Sequence, residues 1–146
     1  MLSTHYSSYI PASFKIEKTV LAGDRVGGFI EGCGAAIFEL SEKTSTSISE
    51  GGVALLNNNS TTRDSTHERY MNWQETPIVE RGKYHLFLHL VNEDAGGNTC
   101  VDLPRSLRED ISSAINSPGA YYSGFNKDTE LLLIPTLKLA IFSHDR

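Results

Sequence analysis

The stretch AYYSGFNKDTELLLIPTLKLAIFSHDR, residues 120–146, decides the fold class. Asn126-Lys127-Asp128 and Pro135-Thr136 cut it into three short apolar runs. Asn, Asp and Pro suit such breaks, because they tolerate or preset the backbone angles that a reversal or a bulge needs. The spacing predicts a three-strand meander, since antiparallel strands are the ones that so short a connection can join.

Upstream of it, LPRSLREDISSAINSPG predicts a helix. Leu103, Leu107, Ile111, Ala114 and Ile115 repeat at three to four. Pro104 suits the first turn and Ser117-Pro118-Gly119 ends the run. KYHLFLHLV (83–91) is the clearest strand pattern, with Tyr84, Leu86, Leu88 and Leu90 on one side and His85, Phe87 and His89 on the other. AAIFEL (35–40) reads as a short apolar strand, and Ser41 after it as the N-cap of a helix over 42–56. Gly51-Gly52 weaken that helix by about 1 kcal/mol each against alanine, so it is expected to end at Gly51 and restart as a short turn. LAGDRVGGFIEGCG (21–34), with five glycines, reads as an irregular connection, and the SFKIEKTV run from Ser13 as a strand. Residues 1–12 read as a loose N-terminal arm. The stretch 57–82 reads as a loop of about 25 residues, far above the usual 4–6 and of the kind that forms functional lids or is disordered.

Strands outnumber helices and end in hairpins, so the expected class is α+β. A largely antiparallel five- or six-stranded sheet would carry two helices packed on one face. The 146 residues fit one domain, large enough to bury a core without metal or disulfide staples. The chain has 18 acidic and 13 basic residues and a net charge of -5, with the basic ones scattered singly. That distribution argues against a nucleic-acid partner, whose phosphates need clustered cations. No apolar stretch approaches the roughly 20 residues that span a bilayer, and MLSTHYSSYIPASF lacks the basic start and apolar core of a signal peptide. The expected setting is cytoplasmic, with Cys33 and Cys100 reduced; in an exported form the alternative is a Cys33–Cys100 bridge.

Few motifs carry chemistry. Cys33 lies in EGCGAA, between two glycines that leave its thiol unshielded. A nucleophile there would need a base to lower its pKa. With no protease signature around it and any of five histidines an equal partner, the balance favours a small buried residue at the start of a strand. Cys33 stays a weak catalytic candidate. His85 and His89 on one strand would stand roughly 13 Å apart, too far to share a zinc ion. His67-Glu68 lacks the second histidine of H-E-x-x-H, and NEDAGGN lacks the spacing of a calcium loop. Neither a metal nor a cofactor is expected. The glycines at 23, 27, 28, 32 and 34 match no phosphate-binding fingerprint, and Gly32-x-Gly34 leads into a strand where such a cradle needs a helix N-terminus.

Tyr70, Met71 and Trp73, the only tryptophan, cluster in the long loop. Aromatic and Met side chains on loops often supply contact area at pockets and interfaces, or else they plug the core edge. The expected function is a non-enzymatic binding domain, as a homodimer. Tyr70 and Trp73 would close over an apolar or aromatic ligand on the His85, Phe87 and His89 side of strand 83–91. One alternative is an acidic factor of the immunity or antitoxin type that masks a basic protein. A second is a cysteine-dependent enzyme using Cys33.

Overall fold

The computed structural model describes residues 6–27, 30–63, 69–78, 103–126 and 129–145. Along the chain run β1 (Ile16–Gly27), β2 (Ile30–Leu40), α1 (Glu42–Asn58), β3 (Met71–Glu75), α2 (Arg105–Ile115), β4 (Tyr121–Asn126), β5 (Thr129–Ile134) and β6 (Leu139–Asp145). The six strands form one sheet in the order β1-β2-β6-β5-β4-β3, every neighbouring pair antiparallel. The C-terminal meander builds its centre. β4 and β5 pair with Tyr122 opposite Leu132. β5 and β6 meet across a 3-10 turn at Pro135–Leu137, which Lys138 closes in the left-handed region at φ 58°. The α+β class, the antiparallel sheet and the two helices are as the sequence predicts.

The helices cover opposite faces, whereas the sequence predicts both on one. Ile48 and Leu56 of α1 pack with Ala36, Phe38, Leu40, Leu131, Leu133 and Phe142. Ile111 and Ile115 of α2 pack with the alternate residues Ala35, Ile37, Leu132, Ile134 and Ile141. The physical sign is in TELLLI: all six residues of β5 are buried, as a strand covered on both sides requires.

The glycine-rich stretch 21–34 is not an irregular connection. It continues β1 and β2 into a long hairpin, with Ala22 opposite Ala36 and Asp24 opposite Gly34. Register shifts at three points along β1 absorb the irregularity that obscures the period-two pattern. Gly34 has a steric role. A Cβ there would overlap the Tyr6 hydroxyl and stand 2.6 Å from His144 Nε2. Tyr6 and His144 lie over it, joined by a 3.0 Å hydrogen bond between Oη and Nε2. Tyr9 stacks on Phe142 beside them, with centroids 4.6 Å apart.

Within the stretch read as a loose arm, residues from Tyr6 onward are held down. Tyr6, Ile10 and Phe14, spaced by four, are buried in the α1-side core. Ala12 N–H donates to Thr61 O at 2.8 Å, and Arg63 N–H to Ser8 O at 3.1 Å. The long loop also yields structure. Its Met71–Glu75 stretch is β3, whose register with β4 shifts between Met71 and Gln74 and whose Asn72 takes a left-handed φ of 58°.

α1 starts as predicted. Ser41 Oγ accepts from Thr44 N–H at 3.1 Å. Gly52 breaks the helical angles with φ 57° and ψ -148°, one residue after the expected interruption, and helix resumes to Asn58. α2 carries the Arg105–Glu109 ion pair at 3.2 Å, exposed on both sides. Strand 83–91 lies outside the described residues.

Candidate functional site

The segment Ser13–Lys15 runs beside α1 and is bonded to both of its ends. At the start, Lys15 N–H donates to Thr44 Oγ1 at 3.0 Å and Ser41 N–H donates to Lys15 O at 2.9 Å. At the far end, Ser13 Oγ donates to Asn59 O at 3.0 Å. The Arg63 guanidinium donates to Phe14 O, fixing the middle of the segment from the other side. Burial pulls the pKa of that guanidinium below its ordinary value.

Between segment and helix lies a cleft of about 410 Å³. Its apolar lining is Phe14, Ile48 and Leu55, and Lys15, Lys43 and Ser47 stand around it. The helical spacing explains the lining. Thr44, Ser47, Ile48, Leu55 and Asn59 share one stripe, while Ser45, Ile48 and Leu56 form the neighbouring stripe that meets the sheet. One helix therefore serves the core with one flank and the cleft with the next.

The polar groups in the cleft divide in two. Ser13, Ser41 and Thr44 are spent on the hydrogen bonds that build it, including the 2.9 Å bond from Ser41 Oγ to Thr44 Oγ1. Among the described residues Lys15 has a 3.8 Å pairing with Glu17, and both side chains are exposed, so that pair contributes little. Lys43 and Ser47 make no side-chain hydrogen bond or ion pair among the described residues. Two ammonium groups and one hydroxyl are thus available to a ligand, beside an apolar floor.

A second, smaller hollow of about 260 Å³ sits at the end of α2, beside Asp110, Ser117, Thr136 and Leu137. It falls below the roughly 300–1,000 Å³ of ordinary small-molecule sites. Among the described residues, no group of three or more His, Cys, Asp and Glu side chains is placed to hold a metal ion. No helix among them is long and apolar enough to cross a membrane.

Of the site residues expected from the sequence, the structure describes the side chains of Tyr70 and Trp73. Tyr70 and Trp73 are both buried in the α1-side core, 5.9 Å apart between ring centroids. Trp73 Nε1–H donates to the buried Ser60 Oγ at 2.9 Å, and its backbone N–H to Asn57 Oδ1 at 3.2 Å. Both rings are therefore committed to packing β3 against α1. His85, Phe87 and His89 lie outside the described residues. The backbone of Cys33 sits in β2, opposite Arg25 on one side and Asp145 on the other. Its thiol lies outside the described side chains. The cleft residues escaped the sequence reading because segment 13–15 and helix 42–58 meet only in the folded chain. The one available signal was the Ser41, Thr44, Ser47, Ile48 periodicity, which reads equally as a capped, half-exposed helix.

Comparison of the chain with family models, with curated proteins and with solved structures returned no match.

Proposed function

We propose that the protein is a non-enzymatic binding domain whose small-molecule ligand seats in the cleft along α1. The observation that carries this reading is the cleft itself. Its 410 Å³ falls in the range of small-molecule sites, with an apolar lining and few polar groups free to orient a guest. The binding function is that expected from the sequence, and the flank of α1 is the place proposed for it among the described residues. The homodimer expected from the sequence belongs to the same proposal, and a light-scattering mass checks it. The acidic protein-binding factor has the net charge alone in its support. Alkylation of Cys33 near neutral pH tests the enzyme alternative, which needs a thiolate in the folded protein.

A neutral apolar fluorophore, N-phenyl-1-naphthylamine, tests the cleft. The wild-type protein should take it up saturably, at one site per chain. Ser47→Trp should abolish uptake, since Ser47 is an exposed cleft residue and an indole there fills the space. Uptake that Ser47→Trp leaves unchanged, or no uptake at all, overturns the reading.

A further inference from the structure

We infer that the ligand class of the α1 cleft is an apolar-bodied anion, an alkyl or aryl carboxylate, held at its charged end by Lys15 and Lys43. This rests on the cleft being a ligand site.

The argument is one of charge against background. The chain carries more acidic than basic residues, 18 to 13, yet the charged side chains lining the cleft are both lysines. Glu42 and Glu50 lie on the same helix but outside the lining. Glu17, which approaches Lys15 at 3.8 Å, is also outside it. A neutral ligand would leave that asymmetry unused, and a cation would meet repulsion from both ammonium groups. An anion meets two point charges and the Ser47 hydroxyl while its body covers Leu55 and the exposed part of Phe14. The N-terminal N–H groups of α1 are not needed for this, because Ser41 already caps Thr44.

Exposed ion pairs are individually weak, so the expected selectivity is modest. Two of them together should favour the anion over its neutral analogue about tenfold at low salt. The preference should shrink as salt shortens the screening length. The body contributes separately, about fourfold in affinity for each methylene buried.

The test displaces the bound fluorophore with octanoate, 1-octanol and octyltrimethylammonium in low-salt buffer. Octanoate should compete about tenfold more strongly than octanol, and the ammonium more weakly than either. Lys15→Gln/Lys43→Gln should erase the difference between octanoate and octanol while leaving octanol unchanged. Lys15→Arg/Lys43→Arg should keep it. Octanol competing as well as octanoate in the wild type overturns the inference and leaves the cleft reading standing, and so does an octanoate preference that the double Gln variant retains. Failure of the wild type to bind the fluorophore overturns both together.

Discussion

Replacing Gly34 by alanine puts the docking of the N-terminal segment to a direct test. The new Cβ would overlap Tyr6 Oη and stand 2.6 Å from His144 Nε2 and 2.8 Å from Tyr6 Cζ. Tyr6 is 2% exposed, so its ring has no free space into which to swing. The sheet cannot yield easily either, because β2 is paired on both sides, Gly34 standing opposite Asp24 and His144. Overpacking of this kind costs about 1–3 kcal/mol. Losing the 3.0 Å Tyr6–His144 bond adds about 1 kcal/mol, and relief of glycine's entropy in a strand returns about 0.5–1 kcal/mol. The net is a destabilisation of about 1–3 kcal/mol, or a melting point lower by roughly 3–10 °C for a domain of this size. Urea and thermal unfolding of Gly34→Ala, Tyr6→Phe and the double variant supply the measurement. Tyr6→Phe removes the overlapping oxygen, so the double variant should be more stable than the sum of the single effects by about 1 kcal/mol. Strict additivity, or an unperturbed Gly34→Ala, would refute the packing of Tyr6 over β2.

Four further outcomes rest on local geometry. Gly52→Ala should destabilise by about 1–2 kcal/mol, because its φ of 57° lies where a Cβ is penalised; a Gly52→Ala variant unfolding at the wild-type urea midpoint would show an unbroken helix. Trp73→Phe should cost about 2 kcal/mol by urea unfolding, from the lost indole bond to Ser60 and the volume left behind. As the sole tryptophan, Trp73 should also resist acrylamide quenching in the wild type, whereas ready quenching would make it a surface lid. Burial, and secondarily the Glu75 carboxylate opposite it in register, push the Tyr121 phenol above its ordinary 10.0. The folded chain then holds a proton that the unfolded chain has already released. The resulting stability is full below about pH 10 and declines as pH rises beyond it. Tyr121→Phe should lose less stability than the wild type between pH 9 and 11, and equal losses would contradict the shift.

What the sequence revealed follows from how each element is built. The meander was legible because turn-forming residues stand between apolar runs, and α2 because Leu103, Leu107, Ile111 and Ile115 keep helical spacing to the stop at Pro118. Ser41 and Gly51-Gly52 marked the start and the break of α1, since a cap and a helix interruption are local effects. β3 was hidden because Asn72 in the left-handed region interrupts the alternation, leaving Trp73 as its one buried residue. The β1–β2 hairpin was hidden because its glycines resemble those of a loop. Gly34 is small for the sake of Tyr6 and His144, which lie 28 residues before it and 110 after, and no local pattern encodes such a contact.

That last contact bears on where a ligand can sit. Among the described residues, the central sheet faces are already occupied. α2 covers one, while α1 and the segment carrying Tyr6, Ile10 and Phe14 cover the other. A site that needed either face would compete with the packing that defines the fold, and the burial of Tyr70 and Trp73 beneath α1 illustrates that competition. The outer flank of α1 is different. There the chain returns as residues 13–15, bonded to the helix at Thr44 and Asn59, with a gap between those anchors. Phe14 takes part in both regions, its side chain buried in the α1-side core and also lining the cleft. Packing of the N-terminal segment and formation of the cleft are therefore one event. Gly34→Ala, which dislodges that segment from its Tyr6 end, should weaken fluorophore uptake as well as stability, although Gly34 lies outside the cleft lining.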